Sequence, residues 1–116
     1  MDVTAVTADL IAEQDDLDTV VAPLPDDAWA LATPSPGWSV ADQIGHLTYF
    51  DRTAALAIVD PDAFIEHRDQ LIGLFDDPAA VEDLTLGEFR AMHPAELLAA
   101  WREGRSALAE ASAPLT

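Results

Sequence analysis

Three histidines, His46, His67 and His93, are the imidazoles this chain can bring to acid–base or metal chemistry. It has no cysteine, which excludes thiolate nucleophiles, thiolate metal ligands and disulfides. A metal ion could be held only through His, Asp, Glu or water. No glycine-rich phosphate loop, G-x-S-x-G or H-E-x-x-H motif occurs. His46 is the best placed of the three. It follows the stiff stretch Pro34, Ser35, Pro36, Gly37 and Trp38, and lies about two turns into a helix that Ser39 can cap. His67 sits among Glu66, Arg68 and Asp69, which predicts a solvated face, and His93 precedes Pro94 at a helix start. A lone histidine near an apolar stripe is more often a hydrogen-bonded rim residue than a ligand. The residues alone leave His46 open between these two roles.

The elements that must position these groups are helical throughout. Val3, Val6, Leu10, Leu17, Val20 and Leu24 recur at three- and four-residue steps, which predicts an amphipathic bundle helix over 3–22. Glu13 interrupts that stripe, as a polar residue reaching water or one facing a pocket. Pro23 and Pro25 stop the helix, and Asp26 to Trp29 read as a short turn that tucks Trp29 under the bundle end. Thr33 to Gly37 should run extended and stiff. Ser39, with Asp42 three residues on, then starts a second long helix over 39–59, with Val40, Ile44, Leu47, Ala54 and Ile58 as its buried stripe. His46 and Phe50 share an adjoining strip with Gln43 and Thr53. Gly45 lowers helix propensity, and what it gains is room for a neighbouring helix or a ligand, or nothing. Residues 61–92 form an insert, helical over 62–76, with a short helix at 79–91. Pro94 opens the last helix, whose stripe is Leu97, Leu98, Trp101, Leu108 and Ala111. Arg105, beside that seam, either carries its charge outward along apolar surface or meets an anionic ligand. No useful period-two alternation occurs, so the fold class is all-α.

The chain has 116 residues, half of them apolar, which suits one domain over 1–116 with a packed core. Asp plus Glu number 22 against 5 Lys plus Arg, a formal charge of −17. That balance excludes nucleic acids and anionic membrane surfaces as partners, since both require a positive footprint. The start Met1, Asp2, Val3, Thr4 has neither a basic region nor a long apolar run. This predicts no signal peptide, no transmembrane segment and a cytoplasmic location.

The stretch from Trp29 through Thr33, Pro34, Ser35, Pro36, Gly37, Trp38, Ser39 and Val40 to His46 and Leu47, followed by Phe50, Asp51 and Arg52, resembles the start of the DinB-like metal-binding domains. It is most similar to the branch named for mycothiol-dependent maleylpyruvate isomerase. Pro94 to Arg102 resembles the third bundle helix of the same branch. The resemblance implies an up-down four-helix bundle holding a divalent metal, often zinc, by three side chains. His46 matches the histidine of the second helix. The other two ligands would be a His or Glu followed four residues later by a His on the fourth helix. Mycothiol or another low-molecular-weight thiol would serve as cofactor in isomerisation or transfer. This sequence departs from the pattern: it contains neither Glu-x-x-x-His nor His-x-x-x-His.

The expectation is therefore a DinB-like bundle lacking its fourth helix. His46 would be the metal ligand, with Asp42 and Gln43 orienting it and Asp42 or Glu13 as conceivable oxygen ligands. Phe50, Trp101 and Arg105 would meet a small-molecule substrate. The apolar groove left open would be covered in a homodimer about a two-fold axis. Two other readings stand beside this one. The first is a non-catalytic helical interaction or dimerisation module. The second is a small-ligand carrier using space between Trp38, Phe50 and Trp101.

Overall fold

The computed structural model describes residues 2–115. Five helices follow one another: α1 (Val3–Val21), α2 (Val40–Val59), α3 (Pro61–Ile72), α4 (Pro78–Arg90) and α5 (Pro94–Ser112), with 3-10 turns at Asp26–Ala30 and Ala113–Leu115. Local chemistry sets the starts. Asp2 accepts hydrogen bonds from the Thr4 and Ala5 amides, Asp60 from Ala63 and Asp77 from Ala80. Such caps answer the unpaired N–H groups of a first turn. Proline occupies the first position of α3, α4 and α5, where its missing N–H costs nothing. Ser39 and Asp42 form a full capping box at the head of α2.

The centre of the molecule is the α2–α5 pair, which shares the most extensive contact. Ile44 and Tyr49 of α2 share one buried cluster with Leu97 and Trp101 of α5, with Trp29 in the same cluster, and Thr48 and Leu108 are buried as well. Gly104 faces Thr48 and the stem of Arg52, so α2 and α5 approach closely there. On the other side of α2, Gly45 makes room for α4. A Cβ at Gly45 would lie 2.9 Å from Phe89 Cβ.

Several expectations are corrected. The insert is two helices of similar length, since Pro78 starts a 13-residue α4 and the preceding helix ends at Ile72. The Thr33–Gly37 stretch does not run extended. Gly37 adopts φ 80°, and Ala32 pairs with Ser39 in an isolated antiparallel bridge, so the segment folds back on itself. The stripe on α1 is mostly not buried: Val6, Leu10 and Val20 are exposed, and only Val21 is fully covered. The reason is placement. α1 leans on α5 and leaves its flank toward α2 open. Leu47 of α2 is likewise exposed, as is Phe50. No described helix is long and apolar enough to cross a membrane.

Candidate functional site

The folded-back loop sets the surroundings of His46. Thr33 donates from its amide to the Trp38 carbonyl at 3.0 Å, and the Trp38 amide donates to Ser35 O at 3.1 Å. Gln43 braces the same loop by donating to Thr33 Oγ1 at 3.2 Å. Trp38 is thereby laid over α2, with its indole N–H on Glu82 at 3.2 Å. The His46 ring sits between Trp38, at 5.0 Å between centroids, and Phe50, edge-on at 4.7 Å. It is half-buried, and among the described residues its imidazole makes ring contacts but no hydrogen bond. Asp42 is engaged elsewhere: it accepts from the Ser39 amide and pairs with Arg90 at 3.0 Å. Burial alone would raise the Asp42 carboxyl, but the Arg90 guanidinium and the Ser39 amide outweigh it and hold the group below its ordinary range.

Among the described residues no group of three or more His, Cys, Asp or Glu side chains is placed to hold a metal ion. One imidazole falls well short of the ligand set a zinc site requires. The residues present do not by themselves make the metal centre that the resemblance implies. Glu13 is exposed, and it lies on the rim of a different feature, a cavity between α1 and α2.

Trp101 floors that cavity from α5 and is 1% exposed. Arg105 stacks over the Trp101 ring at 4.7 Å and reaches Asp18 at 2.8 Å and Asp15 at 3.4 Å. Arg102 joins Asp18 through two hydrogen bonds, at 2.7 and 2.8 Å. These arginines tie α5 to α1, and Arg102 holds the Asp18 carboxyl below its usual range. Neither Trp38 nor Phe50 lines the cavity that Trp101 floors.

One pairing lay outside the sequence reading. His67, expected on a solvated face, is half-buried, with Nε2 2.6 Å from the Tyr49 hydroxyl. The pair joins α3 to α2 beside a space of about 320 Å³ that Leu56, Leu84 and Phe89 also line. Burial pushes the Tyr49 phenol above its ordinary value. Ring contacts run from Trp38 through His46, Phe50 and Tyr49 to His67. The only sequence signal for this contact was helix periodicity, which places Tyr49 one turn after the buried Gly45.

Comparison with known proteins bears on this arrangement. The family model described as mycothiol maleylpyruvate isomerase N-terminal domain matches residues 10–116. Two uncharacterized proteins, from two strains of Mycobacterium tuberculosis, are each 48% identical over 103 residues. The matched segment is 89% of this chain and 39% of each relative, so the chain spans well under half their length. No solved structure matches.

Proposed function

The chain belongs to the family of mycothiol maleylpyruvate isomerase N-terminal domains, and from that premise we propose that it is the helical portion of a thiol-linked isomerase or transferase. In this reading His46 contributes one ligand to a divalent metal, zinc being the expected ion, and the remaining ligands come from polypeptide beyond the described residues. Mycothiol or a similar small thiol is the co-reactant. The observation that carries the reading is the state of His46. Its ring is fixed between Trp38 and Phe50, yet no described residue engages its nitrogens. No described side-chain nitrogen is both buried and unpartnered, so the His46 nitrogens reach solvent and are open to an incoming ion. The neighbouring polar groups are committed to holding α2 and the loop in place.

The test is a zinc titration of the 116-residue chain followed through its imidazole NMR signals. The His46 ring signals should move first, with weak affinity as befits a single ligand. His46→Gln should remove the effect, and His67→Gln should leave it intact. If zinc instead goes to the acidic turn around Asp15, Asp16 and Asp18 while His46 stays unmoved, the proposal fails.

A further inference from the structure

The cavity between α1 and α2 has a volume of about 330 Å³, within the lower range of small-ligand sites. Leu10, Leu17 and Leu47 wall it and Trp101 floors it, while Gln14 and Asp51 are the polar groups set into that apolar lining. Asp51 is poorly supplied with donors. Its one hydrogen bond from a described residue is a long 3.4 Å contact from Gln14 Nε2, although a carboxylate has about four lone-pair sites to fill. Arg105 is the cation whose charge reaches it, but that guanidinium is spent on Asp15 and Asp18.

We propose that this cavity binds a small organic cation, a primary amine on an apolar body, with its ammonium on Asp51 and its body against Leu10, Leu17, Leu47 and Trp101. An ammonium brings three donors, enough for Asp51 and for the Gln14 side-chain carbonyl. Glu13 on the rim adds a second acceptor of the same sign. The net charge of −17 draws cations toward the whole surface and repels anions. A neutral alcohol could fill the apolar space but would forgo the charge. This site stands apart from His46, which does not line it.

Binding should also follow the ionisation of Asp51. Burial raises that carboxyl to about 6, and the charge of Arg105 only partly offsets the rise. The charged groups facing it are Glu13 from α1 and Arg105 from α5. The ammonium needs the ionised form, so affinity should fall as pH drops through about 6.

The experiment is an amide and indole NMR titration of the chain with 2-phenylethylamine at about pH 7.5, with 2-phenylethanol and 3-phenylpropionate as neutral and anionic counterparts. The amine should shift the Trp101 indole signal and the amides of residues 10–17 and 47–51. The alcohol should bind about tenfold more weakly, and the acid should not bind. Asp51→Asn, which keeps the shape and an acceptor for Gln14, should cost about tenfold and abolish the pH dependence. Leu17→Trp, which fills the cavity, should remove the Trp101 shift. The proposal is overturned if amine and alcohol bind alike, if Asp51→Asn loses nothing, or if the shifts spread over the acidic face of α1 and spare Trp101.

Discussion

Asp51 and Asp18 show how one side-chain type takes opposite roles in one molecule. At Asp18 two arginines hold the carboxyl down, so its pairing contributes stability that is lost only as pH falls into the acid range. At Asp51 burial lifts the group from 3.8 to about 6. The folded state then binds a proton that the unfolded state has released. The stability linked to that proton is complete below the unfolded value and is lost as pH rises through about 6. Because the carboxyl is only half-buried, solvent screening reduces the effect to on the order of 1 kcal/mol. Asp51→Asn mimics the protonated form permanently. Urea unfolding should find this variant more stable than the parent by about that amount above pH 7, with the two converging near pH 4. Equal stability at both ends of that range would mean the Asp51 carboxyl is fully hydrated.

The α2–α4 contact depends on the absence of one methyl group. Gly45→Ala would gain up to about 1 kcal/mol of helix propensity. It would also place a Cβ 2.9 Å from Phe89 Cβ, an atom too near the α4 backbone to move alone. Overpacking of that kind costs about 1–3 kcal/mol, so the variant should be destabilised by about 1–2 kcal/mol in urea, net of propensity. Gly87→Ala is the contrasting case. Its new Cβ meets the movable end of Asp83 at 2.9 Å, so this variant should be neutral or mildly stabilised. The same contrast explains what was legible in the sequence. Helix starts were readable at Ser39, Asp42 and Pro94 because caps and first-turn prolines act within a few residues. The Gly45 gap was visible as a gap, but its occupant, Phe89, lies 44 residues away by number. His67 was misjudged for the same reason. Its charged neighbours describe the outside of α3, whereas Tyr49, which covers it, belongs to another helix. The stripe of α1 read correctly as apolar, but periodicity does not say whether a partner is present to bury it.

That uncovered flank and the charge of the chain pull in opposite directions. Leu10 and Leu47 are exposed where they line the α1–α2 opening, and Val6 and Phe50 are exposed within about a turn of them on the same helices; apolar surface gathered in this way favours association. We propose that two copies can cover it for each other about a two-fold axis. Each copy carries −17, and α1 contributes Asp9, Glu13, Asp15, Asp16 and Asp18 with no basic residue, so the approaching flanks repel. Across a molecule measuring 40 × 36 × 23 Å, that repulsion is strong at about 0.01 M salt, where screening extends about 30 Å. It is largely gone near 1 M, where screening falls to about 3 Å. Light scattering on a size-exclusion column should therefore find the monomer at low salt and a growing dimer fraction as salt is raised. Leu47→Glu, which adds a charge to the apolar flank, should keep the protein monomeric at every salt concentration. A monomer that persists at high salt would mean that this flank does not pair with its own copy. A dimer unaffected by Leu47→Glu would place the contact elsewhere, with the opening at the end of α2 and α5, around Val59 and Leu115, next in order.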